Sequence, residues 1–113
     1  MPKEADYPRL VRDNIPEINM KRWGLKLDHR IAKDDKEYLY FLIKKLSEEA
    51  EELQTTPIKE IGQEIADIYE IIDSIIKLSG VTRKEIADYQ ASKRKDQGGF
   101  DKRIIMLSKN MPK

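Results

Sequence analysis

Between residues 58 and 76, isoleucine recurs at a spacing that only a helix gathers onto one side. Ile58, Ile61, Ile65, Ile68, Ile72, Ile75 and Ile76 follow one another mostly at steps of three and four. That spacing matches the α-helical period, whereas a half-buried strand alternates apolar and polar residues. Ile71 and Tyr69 widen the face, so this helix is expected at the centre of the fold, with Tyr69 helping to fill the core. Gly80, following Leu78-Ser79, suits the left-handed turn that closes a helix.

A second stripe precedes it. Leu39, Leu42, Ile43, Leu46, Ala50 and Leu53 predict a helix over residues 35–54, opened by Asp34 as N-cap with Glu37 three positions on. Thr55-Thr56-Pro57 interrupts the pattern; Thr56 as N-cap and Pro57 at the first helical position are expected to start the isoleucine helix. Thr82 and Glu85 form a capping-box pattern for a third helix reaching about Lys95, with Gly98-Gly99 ending it. No strand alternation appears. The expected fold class is all-α, a helical bundle around a central antiparallel helix hairpin. The 113 residues fit one domain, 1–113. Residues 1–33 form an irregular N-terminal segment punctuated by Pro2, Pro8 and Pro16, in which Ile15, Ile18, Met20 and Trp23 can build a short helix or turn. Residues 34–97 hold the three main helices, and 98–113 form a tail in which Ile104, Ile105, Met106 and Leu107 can pack.

Composition narrows the chemistry. Hydrophobic residues make up 39% and charged residues 38%, which suits a narrow core or one completed by self-association. Lys and Arg number 22 against 21 Asp and Glu, so no net basic footprint for nucleic acid is present. There is no cysteine, which excludes disulfides, thiolate metal sites and a thiol nucleophile. No apolar segment resembles a signal peptide or a membrane span, and the expectation is a cytoplasmic protein with no membrane partner.

The acidic residues are placed unevenly. The first helix carries Glu48-Glu49-Ala50-Glu51-Glu52 and the second Glu64-Ile65-Ala66-Asp67. Glu49 with Glu52, and Glu64 with Asp67, are three residues apart, so each pair shares a helix face. These carboxylates flank the apolar stripes, whereas Glu51, Gln63 and Glu70 fall on the far side. Packing the stripes together would gather the flanking carboxylates, whose mutual repulsion a divalent cation relieves. An all-oxygen donor set suits Mg²⁺, with Mn²⁺ as substitute, and such ions also grip phosphate oxygens. A solvated acidic face on an interaction helix is the competing explanation.

The motifs also resemble a known family. Residues 45–53, Lys45-Leu46-Ser47-Glu48-Glu49-Ala50-Glu51-Glu52-Leu53, and residues 64–72, Glu64-Ile65-Ala66-Asp67-Ile68-Tyr69-Glu70-Ile71-Ile72, are similar to the paired metal motifs of MazG-like nucleotide pyrophosphohydrolases. Leu10-Val11-Arg12-Asp13-Asn14-Ile15-Pro16 and Lys93-Arg94-Lys95-Asp96-Gln97-Gly98-Gly99-Phe100 resemble the branch labelled phosphoribosyl-ATP pyrophosphohydrolase-like. The last piece departs from that pattern, with Asp96-Gln97 where the family usually has Arg before the glycines.

The resemblance implies Mg²⁺-dependent cleavage of a nucleoside triphosphate or related nucleotide to the monophosphate and pyrophosphate, in a nucleotide-pool house-cleaning role. It implies a homodimer or homotetramer whose partner helices complete the core. It implies metal ligation by Glu49, Glu52, Glu64 and Asp67, with Glu48 and Glu49 as catalytic carboxylates. Arg12, Asp13, Lys45, Lys93, Arg94 and Lys95 are the candidate substrate-binding residues. Five of the six have a plainer explanation: a surface ion pair for Arg12 and Asp13, a dipole-complementing helix end for Lys93, Arg94 and Lys95. His29 is read as a surface or loop residue, and Trp23 as a core or interface anchor. Two alternative functions stand beside the enzyme: a non-enzymatic helical oligomerisation module, and a nucleotide-binding regulator without catalysis.

Overall fold

A computed structural model describes residues 7–109. Every regular element among them is helical: α1 (Ile15–Trp23), α2 (Asp35–Leu53), a short 3-10 turn (Ile58–Glu60), α3 (Ile61–Ser79) and α4 (Arg83–Gln97). The chain divides into two compact units between Gly80 and Val81. The first holds α1 to α3, the second α4 and the C-terminal segment.

Helix α2 starts where its cap predicts, with the Asp34 carboxylate accepting the Glu37 N–H at 2.8 Å. The Glu37 side chain does not return the bond to Asp34. It accepts instead from the Lys33 N–H at 3.1 Å and from the Arg30 guanidinium, which ties the preceding loop to the first turn of α2. Those donors pull the Glu37 carboxyl down to about 2, the Arg30 hydrogen bond first.

The start of α3 differs from expectation. The Thr56 hydroxyl donates backwards to the Glu52 carbonyl at 2.6 Å, so it closes α2 rather than opening α3. Pro57 leads into the 3-10 turn, and α3 begins at Ile61 without a side-chain cap. Gly80 ends α3 in the left-handed region, φ +75°, where an L side chain is strained. Gly24 does the same for α1, with the Gly24 and Leu25 N–H groups bonded to the Met20 and Asn19 carbonyls.

Helices α2 and α3 pack on each other. The inward line of α2 runs Leu42, Leu46, Glu49, Leu53, and Leu42 is 2% exposed. On α3 the buried centre is Ile71, 5% exposed, whereas Ile65 of the expected stripe is 36% exposed. The difference is a rotation of the buried face. The inward line runs Ile61, Glu64, Asp67, Ile68, Ile71, Ile75 and Leu78, leaving Ile58, Ile65, Ile72 and Tyr69 exposed. Tyr69 therefore does not fill this core. Trp23 and Met20 are about half exposed, and the most buried residue of α1 is Asn19, at 2%.

In the second unit, Thr82 caps α4 by accepting the Glu85 N–H at 3.1 Å, as its capping-box pattern predicts. Helix α4 is polar nearly all round, with only Ile86 half-buried. Ile104, Ile105, Met106 and Leu107 do not pack; all are exposed. No helix among the described residues is long and apolar enough to cross a membrane.

Candidate metal centre

Glu49 faces inward because it occupies a position on the buried line of α2 that the helix period assigns to a core residue. Glu64, in the first turn of α3, and Asp67 one turn later sit at the edge of the inward face of that helix. Packing of the two helices brings one oxygen from each of the three carboxylates within 4.8 Å of the others. Glu49 is 8% exposed, while Glu64 and Asp67 are half-buried.

Burial raises the Glu49 carboxyl to about 7; a hydrogen bond with Glu64 and the charges of Glu52, Asp67 and Glu64 push in the same direction. Asp67 accepts a hydrogen bond from the Arg12 guanidinium, Nη2 to Oδ1, at 2.7 Å. Its two partners in the cluster are less well served: Glu49 Oε2 and Glu64 Oε2 are buried, and neither accepts an N–H or hydroxyl proton from another protein group.

Those orphaned oxygens test the fit of a cation. A buried carboxylate oxygen without a donor costs free energy that a positive charge relieves. Three carboxylate oxygens within 4.8 Å of one another can converge on a single hard divalent ion, whose oxygen ligands lie about 2.0 to 2.6 Å from the metal. The donor set is all oxygen, which favours Mg²⁺, Mn²⁺ or Ca²⁺ over softer metals. The residues therefore fit such an ion.

The cluster opens onto a broad groove of about 1400 Å³ within the first unit. Of the other sequence candidates, Arg12, Asp13, Lys45, Glu48 and Glu52 line it. Glu52 is exposed and stands outside the three-carboxylate cluster. Lys93, Arg94 and Lys95 lie in the second unit, exposed at the end of α4, where the Arg94 carbonyl accepts the Gly98 N–H at 2.8 Å.

The groove also includes residues that sequence reasoning set aside. Glu51 and Glu70 line it rather than an opposite face, together with Arg9, Tyr38, Ser74 and Lys77. The signal that could have found the α3 group is its spacing: Asp67, Glu70, Ser74 and Lys77 follow at steps of three and four. Compared with protein-family models, curated proteins and solved structures, the chain matches none of them.

Proposed function

We propose that the chain is a divalent-cation-dependent nucleotide pyrophosphohydrolase of the MazG-like type, acting on a nucleoside triphosphate or related nucleotide in the cytoplasmic pool. The observation that carries this reading is the buried Glu49 carboxylate, held against Glu64 and Asp67 with unpartnered oxygens beside a wide groove. A core position given to a charged residue is costly for folding alone and is explained when a ligand needs the charge there.

In this reading Glu49, Glu64 and Asp67 would hold Mg²⁺ or Mn²⁺, with Glu52 of the same helix as a further donor. When bound, the cation neutralises phosphate charge and activates water. Glu48, half-buried on the groove wall, accepts a proton from the water that cleaves the anhydride between the α- and β-phosphates. Arg12, Asp13 and Lys45, which line the groove, contact the nucleotide. Helices α2 and α3 act as an antiparallel hairpin whose exposed apolar residues are covered by a second copy.

A helical interaction module is the reading favoured by those exposed apolar residues, Ile58 at 85% among them. It gives no reason for burying Glu49. The test is pyrophosphate release from a panel of canonical and modified nucleoside triphosphates, with Mg²⁺ and with excess chelator. Metal-dependent release is expected, lost in Glu49→Gln and Asp67→Asn with helicity retained. Silence across the panel, together with no Mn²⁺ binding in calorimetry, would leave the interaction module.

A further inference from the structure

Arg12 sits on the segment before α1, where the Ile15 N–H donates to the Arg12 carbonyl at 3.0 Å and closes a turn around its backbone. Its side chain reaches the groove and meets Asp67 at 2.7 Å. Both ends of this pair remain open to solvent, the side chains 54% and 42% exposed. An ion pair so exposed contributes little to folding. Its location matters more, because it places a fixed positive charge on one carboxylate of the cluster.

That charge neutralises the cluster only in part. Glu49 is 8% exposed, and its Oε2 and that of Glu64 remain without a donor. A guanidinium donates hydrogen bonds in a plane and offers no centre that three carboxylates can surround. A divalent ion does offer one, and its charge at Asp67 repels a guanidinium held 2.7 Å from the same carboxylate. Arg12 then has a long side chain, an anchored backbone and a groove in front of it. Planar, bidentate donors of this kind suit phosphate oxygens.

We propose that Arg12 is the built-in counter-ion of the carboxylate cluster, bound to Asp67 until a divalent cation displaces it and then turned onto a phosphate of the incoming nucleotide. The inference rests on the metal-dependent reading above. Its consequence is coupling. The cation releases the phosphate ligand, and by reciprocity a bound phosphate strengthens cation binding by keeping Arg12 away from Asp67.

The test measures binding, with Mn²⁺ and methylenediphosphonate (a non-hydrolysable diphosphate) as probes, in wild type, Arg12→Gln and Arg12→Lys. Mn²⁺ alone is expected to bind Arg12→Gln about 2- to 5-fold tighter than wild type, the range set by loss of an exposed ion pair. Methylenediphosphonate in saturating Mn²⁺ is expected to bind Arg12→Gln about 10-fold more weakly, through loss of a charge-assisted hydrogen bond. Arg12→Lys keeps the charge and is expected to retain the wild-type Mn²⁺ affinity. A tighter site cannot come from a damaged fold. Equal or weaker Mn²⁺ binding by Arg12→Gln, unchanged phosphonate binding, or an Arg12→Lys as tight as Arg12→Gln would overturn the exchange while leaving the metal site standing. A wild-type protein that binds no Mn²⁺ would remove both.

Discussion

Glu49 stands in line with Leu42, Leu46 and Leu53, where the α2 period asks for another apolar side chain. Its identity as an acid was plain in the sequence, and its spacing from Glu52 suggested a shared face. The depth of its burial was not legible, because that depends on the rotation of α2 about its axis against α3. The Arg12–Asp67 contact was equally hidden, since it joins residues 55 apart in sequence. The buried carboxyl has a measurable signature. Its value in the folded protein, about 7, lies above the ordinary 4.5, so the folded state holds the proton more tightly than the unfolded chain. The associated stability is full below pH 4.5 and lost as pH rises through 7. Glu37 acts in the opposite sense: its lowered value favours the fold above pH 4.5 and withdraws that support as pH falls towards 2. Urea denaturation in excess chelator is therefore expected to show maximal stability near pH 4.5 to 5, with a falling limb up to pH 7. Glu49→Gln should flatten that limb and stabilise the metal-free protein at neutral pH. Asp67→Asn should gain less, because it weakens the Arg12 ion pair while relieving the same repulsion. A neutral-pH stability unchanged by Glu49→Gln would contradict the buried charge.

At the scale of the element, local rules were legible where one side chain serves one helix end. Asp34, Gly80 and Thr82 each sit where their chemistry places them, because an N-cap oxygen or a left-handed glycine acts within a few residues. Thr56 departs from its expected role for a reason of the same scale. Its hydroxyl had two uses within reach, a following N–H or a preceding carbonyl, and Pro57 holds the chain in a 3-10 turn before α3 begins. The two caps should differ in their effects. Asp34→Ala removes the bond to the Glu37 N–H beside the Arg30–Glu37 pair, and about 1 kcal/mol of global stability is the expected loss. Thr82→Ala removes a cap of similar intrinsic strength from a helix with no buried residue. Its loss is expected as fraying, seen as faster amide hydrogen exchange at Glu85 and Ile86, with the midpoint of the first unit's unfolding unchanged. Equal shifts of the global midpoint for both variants would show that α4 unfolds together with α2 and α3.

For the molecule as a whole, the all-helical class followed from periodicity, whereas the extent of the core did not. Among the described residues only Leu42 and Ile71 are buried apolar side chains, although the isoleucine stripe alone offers more than that. A helix pattern records that a residue is apolar, not which surface covers it, and a stripe as wide as that of α3 has enough apolar width for two neighbours. One neighbour is α2. The other side carries Ile65 and Ile72, two turns apart, with Ile58 exposed in the 3-10 turn before them, while Leu39 and Ile43 stand exposed on α2. Under the proposed assembly these residues meet a second copy. Sedimentation equilibrium should then give a dimer or tetramer, and the double substitution Ile65→Lys, Ile72→Lys should yield a monomer that retains helicity. Because the carboxylates lie on the α2-facing side of α3, the monomeric variant should still bind Mn²⁺, more weakly as the packing of α2 on α3 loosens. A wild-type chain that sediments as a monomer at tens of micromolar would remove the second copy from the proposal. It would also leave the exposed isoleucines as a surface awaiting a different protein.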